Sequence, residues 1–266
     1  MAGGVGSRFW PLSKKELPKQ FLDILSIGET LLQQTFRRLS LVCPKKNIYI
    51  VTNQDYFDLC KVQVDGINDS QILCEPVMRN TAPCVAYAAF KIYNQNHEAK
   101  LIVAPSDHLI TKEVEFTRII DQIFEAISNQ KILVTLGIKP NRPDTGYGYI
   151  QYEENNYLDN NNIKKVKTFT EKPNLNLALQ FLDSGDFLWN SGIFIFKAEI
   201  IIESYKKHLR DMYDIFRSGE EYYNTIEEIE FIQRVFPSCK NISIDYGILE
   251  KSDNVYVYPS NFGWSD

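Results

Sequence analysis

A glycine-rich loop with two basic residues behind it stands at the start of the chain. Gly3, Gly4 and Gly6 precede Arg8, and Lys19 follows eleven residues later. Glycines let a backbone approach a phosphate chain closely and aim several N–H groups at it. Arg8 would add a planar, forked cation and Lys19 a mobile point charge. Because the loop matches neither the P-loop pattern nor the dinucleotide fingerprint, it predicts a phosphate site of another kind, with a plain turn as the alternative.

An acidic residue follows a run of apolar residues that predicts a buried strand. Asp107 comes shortly after the run 101–104, within the sequence Pro-Ser-Asp-His. In open α/β sheets ligands bind beyond the carboxyl ends of strands, where a carboxylate suits Mg²⁺ held against the phosphates of a nucleotide. The alternative is that Asp107 caps a turn or helix. We expect His108 to support this loop, and three histidines without an i,i+4 pair disfavour a transition-metal site.

Three further groups have the chemistry needed to hold a sugar phosphate. Gly146 and Gly148 lead into a predicted strand, Glu171 and Lys172 are adjacent, and Asn190 precedes a Ser-Gly pair. A carboxylate, an ammonium and an amide are the groups that would bind sugar hydroxyls and an anomeric phosphate. Each motif alone has an ordinary alternative, since the glycines fit a tight turn or bulge and the polar residues fit strand-end caps or surface pairs.

Alternating strands and helices must position these residues. The apolar runs 48–52, 101–104 and 132–138 predict buried strands, with amphipathic helices capped by Thr30 and Thr81 between them. This alternation predicts a mostly parallel sheet with helices on both faces. Residues 147–152, 166–170 and 255–258 predict further strands, and a helix opens at Pro173 and closes at Gly185. Helices are also predicted at 198–208 and 225–235, and without repeats or linkers we expect a single domain, 1–266.

Composition narrows the class of protein. The 29 Lys and Arg against 34 Asp and Glu give a net charge of −5, which disfavours nucleic-acid binding. No apolar run reaches the roughly 20 residues of a membrane span. Five scattered cysteines without a CxxC pair favour free thiols in a reducing compartment. With no visible secretory signal, we expect a cytoplasmic protein, and the sequence leaves a homodimer open.

Several segments taken together resemble the signature blocks of bacterial mannose-1-phosphate guanylyltransferases, a branch of the sugar-nucleotidyltransferase superfamily. In chain order they read MAGGVGSRFWPLSKKELPKQF, EPVMRNTAPCVAYAA, VAPSDHLI, TGYGYIQ, FTEKPN, FLWNSGIFIFKA, SIDYGILEK and FGWSD. The resemblance covers essentially the whole chain. The first block alone would indicate only the superfamily, whereas RNTAP, SIDYGILEK and FGWSD are specific to this branch.

The resemblance implies a Rossmann-like α/β fold with a mixed, mostly parallel sheet flanked by helices. It also implies transfer of GMP from GTP to α-D-mannose 1-phosphate, giving GDP-mannose and pyrophosphate by in-line, Mg²⁺-assisted attack on the α-phosphorus. Both reactants are anions, so cations and alignment, rather than a nucleophilic side chain, would lower the barrier.

The family's site residues carry over to the matching positions of this sequence. The implied catalytic residues are Arg8, Lys19 and Asp107, and the implied Mg²⁺ ligands are Asp107 and Asp266. The implied nucleotide-binding residues are Ala2, Gly3, Gly4, Gly6, Ser7, Glu75, Arg79, Asn80 and Thr81. The implied sugar-phosphate residues are Gly146, Glu171, Lys172 and Asn190, with Lys172 on the phosphate.

The sequence departs from the family pattern at both ends. Relatives carry an apolar strand directly before the glycine loop, and here Met1 stands where that strand would end. Relatives also continue beyond the closing motif, of which Asp266 is the last residue. We therefore expect a domain truncated at both ends, with a sheet that lacks its first strand.

Two alternative functions stay open. The first is a nucleotidyltransferase that takes dTTP or UTP with glucose 1-phosphate, which the RNTAP and SIDYGILEK blocks disfavour. The second is a truncated, non-catalytic binder of sugar nucleotides. The missing strand favours this binder, whereas retention of Arg8, Lys19, Asp107, Glu171 and Lys172 disfavours it.

Overall fold

Strands and helices alternate along the part of the chain that the computed structural model describes, which is residues 1–4, 6, 9–158 and 162–266. The strands of this part are β1 Ile50–Asn53, β2 Ile72–Glu75, β3 Lys100–Val103, β4 Leu109–Ile110, β5 Leu133–Ile138, β6 Tyr149–Leu158, β7 Ile163–Thr170, β8 Phe187–Lys197, β9 Val255–Ser260 and β10 Trp264–Ser265. Its helices are α1 Leu31–Leu39, α2 Phe57–Gln63, α3 Thr81–Gln95, α4 Glu113–Ala126, α5 Leu175–Ser184, α6 Ala198–His208, α7 Arg210–Arg217, α8 Glu228–Val235 and α9 Ile244–Gly247. None of these helices is both long and apolar enough to cross a membrane.

Local capping chemistry explains where the predicted helices begin. Thr30 caps α1, as the sequence predicts, and the structure adds a reciprocal capping box with Gln33. The predicted cap of α3 is wrong by one residue: Asn80, with a positive φ of 66°, accepts from the Thr81 amide, and Thr81 is the first helical residue. The hydroxyl of Thr81 is used elsewhere, because it accepts from the Ile244 amide.

The ends of the later helices shift in a similar way. Asn174 caps α5, which begins two residues after Pro173 and ends at Gly185 in the left-handed conformation. The helix predicted from residue 225 begins only at Glu228, because Thr225 and the residues after it form turns.

Six strands form the main sheet in the order β3-β8-β5-β9-β7-β6, with β6 also pairing with β8. Strands β5 and β9 pair in parallel, and the other pairs are antiparallel. It follows that β3, β5, β6 and β9 run in one direction while β7 and β8 run against them. The mixed sheet that the resemblance implies is thereby confirmed.

Helices cover both faces of this sheet, as predicted. Successive residues of β8 alternate between two hydrophobic clusters: Phe194 packs with α3 and α6, and Ile195 packs with α4. This alternation is what a strand covered on both faces requires.

Strands β1 and β2 form a separate parallel pair. The first two residues link this pair to the main sheet. The ammonium of Met1 donates to the Ala104 carbonyl at 2.8 Å, and the Ala2 amide donates to the Val51 carbonyl at 2.7 Å. Within the described residues β1 and β3 are not paired with each other.

A short antiparallel pair brings the end of the described chain back to the predicted metal loop. Ser265 of β10 lies opposite Leu109 of β4, which places Asp266 beside Asp107 and His108. This pairing joins segments that are distant in sequence, and it builds one half of the site described next.

Candidate active site

The side chain of Gln20 holds the glycine loop through two hydrogen bonds. The Gln20 side-chain amide donates to the carbonyls of Ala2 at 2.8 Å and Gly4 at 2.9 Å. Gly6 has a φ of +63°, and a Cβ at this position would lie 2.9 Å from the Cβ of Lys19. Only glycine tolerates both conditions. The loop therefore folds directly over Lys19, as a phosphate cradle with an adjacent cation requires.

An acidic side chain lies against the same loop. Glu75 ends β2 and is buried, and a Cβ at Gly3 would lie 2.9 Å from its Oε2 atom. The Cys84 thiol donates to the other carboxylate oxygen and to the Asn80 carbonyl. Burial raises the pKa of Glu75 to about 7, although the thiol hydrogen bond and the N-terminal ammonium oppose the rise. Glu75 thus presents a hydrogen-bonding edge at the loop, next to the N-terminus of α3.

The carboxylates of Asp107 and Asp266 lie near the same nitrogen of the His108 ring. The Nε2 atom of His108 lies 4.0 Å from Asp107 Oδ1 and 3.7 Å from Asp266 Oδ1. The Trp264 indole donates to Nδ1 at 3.1 Å, which leaves the proton of a neutral imidazole on Nε2, facing both acids. Burial lowers the pKa of His108, which favours that neutral form. The Nε2 atom of His108 thus faces both acids, at distances longer than a hydrogen bond.

Lys19 completes this cluster. Its ammonium lies 3.3 Å from Asp266 Oδ1 and 4.8 Å from the centre of the Phe9 ring. The Lys19 side chain is 9% exposed, so its ammonium interacts with groups inside the site and little with bulk water. The structure thus brings together Lys19, Asp107 and Asp266, which lie far apart in the sequence.

The donor set fits a hard divalent cation. Two carboxylates and the phosphate oxygens of a nucleotide are typical ligands of Mg²⁺, which keeps several waters and rarely takes an all-protein cage. Among the described residues no group of three or more His, Cys, Asp and Glu side chains is arranged to hold a metal by itself. Asp107 and Asp266 are the described carboxylates that could hold such a cation together with phosphate oxygens.

The second half of the site surrounds Glu171 at the end of β7. A Cβ at Gly148 would lie 2.5 Å from Glu171 Oε2, so this glycine gives the carboxylate its space. The Glu171 side chain is 7% exposed and pairs with the ammonium of Lys172, whose own side chain is 58% exposed. The carboxylate is therefore fixed, while the cation at the rim is free to turn toward a ligand.

Asn190 lies next to Glu171 and is held by several hydrogen bonds. Its backbone amide donates to the Gly148 carbonyl at 2.8 Å, and its Oδ1 atom accepts from Thr135 at 2.9 Å. Its Nδ2 atom donates to Asp245 Oδ1 at 2.9 Å. These contacts fix the amide orientation, which is the condition for selective recognition of hydroxyl groups.

Asp245 is a site residue that the sequence interpretation missed. Burial, followed by the charge of Glu171, raises the pKa of Asp245 to about 6. Raised pKa values of this kind cluster at functional sites, and Asp245 lies in the first turn of α9. The signal was its place in the SIDYGILEK block, two residues after the Ser243 cap of α9.

The two halves share one cleft. A Cβ at Gly192, two residues after Asn190, would lie 3.4 Å from the Pro105 ring and 3.8 Å from His108 Cε1. On the other side, the Tyr147 ring packs 5.2 Å from the ring of Trp264. The cluster of Lys19, Asp107, His108 and Asp266 and the pocket around Glu171 and Asn190 are thus neighbours along β8.

Some predicted residues stand apart from this cleft or outside the description. The Arg79 guanidinium donates to the Pro237 carbonyl at 2.8 Å, and no described contact joins Arg79 to Glu75 or Lys19. Gly146 lies in the loop before Gly148, where its amide donates to Asp144. Ser7 and Arg8, predicted to bind phosphate, lie outside the described residues.

Several known proteins are similar to this chain in sequence. The chain is 40% identical over 278 residues to "Mannose-1-phosphate guanylyltransferase 2" of Escherichia coli O157:H7 and 37% identical over 270 residues to "Alginate biosynthesis protein AlgA" of Pseudomonas syringae pv. tomato. These alignments cover 100% of this chain but 56% and 55% of the relatives, so the chain spans about half their length. The resemblance stated from the sequence blocks is thereby confirmed.

A solved structure and a family model agree with these relatives. The Thermus thermophilus structure described as "mannose-1-phosphate geranyltransferase" superposes with a TM-score of 0.87 and 30% identity, over 100% of this chain and 74% of that one. The family model described as Nucleotidyl transferase matches residues 1–266. The chain belongs to the nucleotidyl transferase family.

Proposed function

We propose that residues 1–266 form one catalytic domain that transfers GMP from GTP to α-D-mannose 1-phosphate, giving GDP-mannose and pyrophosphate. The observation that carries this proposal is that two clusters of side chains adjoin at β8: Lys19, Asp107 and Asp266 near His108, which lies against Gly192, and Glu171 and Asp245 around Asn190. One half suits a triphosphate and the other a sugar phosphate. The name of the E. coli relative supports this pair of substrates.

The chemistry to be supplied is mostly electrostatic. A phosphate oxygen of the sugar attacks the α-phosphorus of GTP in line, so two anions must be aligned and their repulsion reduced. Lys19 contributes its charge on the nucleotide side, where Gln20 fixes the loop that carries the phosphates. Lys172, exposed at the rim, contributes charge on the side of the sugar phosphate. Arg8 is proposed to act with Lys19.

Side chains with fixed positions orient the substrates. Glu171, Asn190 and Asp245 bind hydroxyl groups of the mannose, because their orientations are set by hydrogen bonds and packing before any ligand enters. Glu75, Asn80 and Thr81 lie around the guanine and ribose. Asp107 and Asp266 would hold Mg²⁺, which when bound supplies the charge that neutralises the phosphates. The Nε2 atom of His108 faces both carboxylates, 4.0 Å from Asp107 and 3.7 Å from Asp266.

A substrate matrix tests the proposal. The chain is incubated with GTP, ATP, dTTP or UTP and with mannose 1-phosphate or glucose 1-phosphate, and pyrophosphate release is measured. We expect release with GTP and mannose 1-phosphate, and product only with dTTP or UTP would overturn the proposal. Calorimetric binding of GDP-mannose without pyrophosphate release would instead support a non-catalytic binder.

A matched pair of variants ties the activity to the cleft. Lys19→Met removes the buried charge, whereas Lys14→Met removes a charge from an exposed position close by in sequence. We expect a loss of about 100-fold in turnover for the first and normal turnover for the second. Equal activities would retract the role of Lys19.

A further inference from the structure

The loop between β5 and β6, residues 139–148, contains an ion pair to which the mechanism above gives no role. The Nε atom of Arg142 donates to Asp144 Oδ2 at 3.0 Å, and the Nη2 atom lies 2.8 Å from the same oxygen. The other carboxylate oxygen, Oδ1, accepts from the Gly146 amide at 2.8 Å. Asp144 therefore connects the Arg142 side chain to the backbone of Gly146, which the family resemblance assigns to the sugar phosphate.

The same guanidinium lies over a tryptophan of β8. The Cζ atom of Arg142 is 5.0 Å from the centre of the Trp189 ring, and Trp189 directly precedes Asn190. Trp189 is 3% exposed, and its indole nitrogen has no hydrogen-bond partner among the described residues. Contacts with the ring therefore set its position. Because a guanidinium is planar and weakly hydrated, it stacks well on an aromatic face, and Arg142 joins the loop to the strand that carries Asn190.

Tyr147 makes a second contact between the loop and this strand. Its ring lies 5.1 Å from the ring of Trp189, and its hydroxyl accepts from Arg142 Nη2 at 3.4 Å. The next residue, Gly148, accepts from the Asn190 amide through its carbonyl at 2.8 Å. The stacked side chains thus stand directly before the point at which the loop meets Asn190.

A comparison with a second ion pair shows why the Arg142 contacts matter. The guanidinium of Arg210 lies 3.0 Å from Asp214 and 5.4 Å from the centre of the Tyr213 ring. These three residues belong to one helix, α7, so their contacts connect no separate elements. An exposed pair of this kind contributes little by itself. Arg142 has the same chemistry, but it reaches from a loop to a neighbouring strand and so fixes one against the other.

We propose that Arg142 is a positioning residue for the sugar phosphate. It binds Asp144 and stacks on Trp189, which holds the loop against β8 and sets the backbone of Gly146 at the border of the pocket around Asn190. The planar fork is required for this, because a lysine would pair with the carboxylate but would not cover the ring in the same way. The inference rests on the proposed function, since it concerns the binding of mannose 1-phosphate.

Calorimetry on single variants tests this role. Mannose 1-phosphate is titrated into the chain saturated with Mg²⁺ and a non-hydrolysable GTP analogue, for the parent, Arg142→Met, Arg142→Lys and the matched control Arg210→Met. We expect the Kd to rise about tenfold for both Arg142 variants, because an ion pair and a cation–π contact are lost together or lose their geometry. We expect a change of less than about twofold for Arg210→Met, whose pair is exposed and lies within one helix.

Two readouts separate positioning from a general loss of structure. The Arg142 side chain is 55% exposed, so the midpoints of thermal unfolding should agree within about 2 °C, and the Kd of the GTP analogue should stay unchanged. An unchanged Kd for mannose 1-phosphate in Arg142→Met would overturn the proposal. Parent-like affinity in Arg142→Lys would also overturn it, because a point charge would then be sufficient. Equal increases in Kd for both ligands would contradict a role in the sugar-phosphate pocket.

A double variant tests whether the two residues act as one unit. Asp144→Asn keeps an oxygen that accepts from the Gly146 amide but loses the ion pair, and we expect its Kd to rise about threefold. Arg142→Met combined with Asp144→Asn should be no weaker than Arg142→Met alone, because the second change finds no pair left to break. A loss near the product of the two, about thirtyfold, would show independent contributions and would overturn the proposal.

The same titrations separate this inference from the proposed function. A parent chain that binds mannose 1-phosphate but releases no pyrophosphate from GTP would refute the transfer reaction alone, and the Kd ratios of the variants would still decide the role of Arg142. A parent chain that binds no mannose 1-phosphate would overturn both.

Discussion

The two halves of the proposed site differ in how many contacts hold their residues in place. The sugar half is Glu171, Asn190 and Asp245, and the nucleotide half is the glycine loop with Lys19, Asp107 and Asp266. The sugar half rests on β8, a strand of the main sheet that pairs with β3, β5 and β6, and Asn190 on it is bonded on three sides. The nucleotide half rests on a loop that Gln20 holds from one side, with a cavity behind Met1 and Ala2. The comparison shows that the Asn190 side of the site has more backbone and side-chain support than the glycine loop.

This difference should appear in how each substrate responds to change. A site whose groups are locked by packing and backbone pairing loses little when a distant contact is removed. A loop held by a few hydrogen bonds loses its geometry when one of them goes. We therefore expect perturbations near the N-terminus to weaken the nucleotide more than the sugar phosphate.

The largest effect is expected where both halves meet. Asp107→Asn keeps the shape of the side chain beside His108 but removes the charge that the proposed Mg²⁺ requires. Loss of one preorganised charge of this kind commonly costs roughly 3–4 kcal/mol of barrier, so turnover should fall by about 100-fold or more. Asp121→Asn, at an exposed position of α4, is the control, and pyrophosphate release is the measurement. Similar rates for the two variants would remove Asp107 from the mechanism.

The next largest effect is on how the free energy of unfolding depends on pH, which should differ between the two halves. Glu75 on the nucleotide side has a pKa of about 7, raised from 4.5. Between these values the folded chain keeps a proton that the unfolded chain has released, so the free energy of unfolding falls as pH rises and levels off above about 7. Glu75→Gln has no carboxyl at this position, so its free energy of unfolding does not fall for this reason. We therefore expect the difference in free energy of unfolding, variant minus parent, to rise by about 2 kcal/mol between about pH 5 and about pH 8.

Urea unfolding of Glu75→Gln and Asp245→Asn across this range is the measurement. Asp245 has a pKa of about 6, raised from 3.8, so the same reasoning places its change about one pH unit lower. A stability of Glu75→Gln that runs parallel to that of the parent chain would contradict the buried carboxyl on the nucleotide side. Coincident curves for the two variants would remove the predicted difference between the halves.

A smaller effect tests the loop support directly. Gln20→Ala removes both hydrogen bonds to the carbonyls of Ala2 and Gly4, and a buried bond lost in this way costs on the order of 1–2 kcal/mol. We expect the KM for GTP to rise about tenfold while the KM for mannose 1-phosphate stays unchanged. Gln151→Ala, which breaks a bond to Asp186 away from the loop, is the control. Equal increases in both KM values would show that the two halves are coupled.

Local chemistry was readable in the sequence, whereas long-range pairing was not. The Thr30 cap, the end of α5 at Gly185 and the apolar runs depend on neighbouring residues, and the structure has them close to the predicted positions. The meeting of Asp107 with Asp266 depends on the pairing of β4 with β10, which no periodicity reveals; only the family resemblance paired them. Asp245 was missed because its partners Asn190 and Glu171 come from other strands.

The smallest effect is expected at the rim of the sugar half. Lys172 is 58% exposed, and an exposed charge pair contributes at most about 1 kcal/mol. Lys172→Met should therefore raise the KM for mannose 1-phosphate only about threefold to fivefold and leave the KM for GTP unchanged. Lys167→Met, which removes an exposed charge from β7 nearby, should change neither value. A loss for Lys172→Met as large as that for Asp107→Asn would mean that Lys172 closes over the ligand, and that the sugar half is less rigid than the comparison requires.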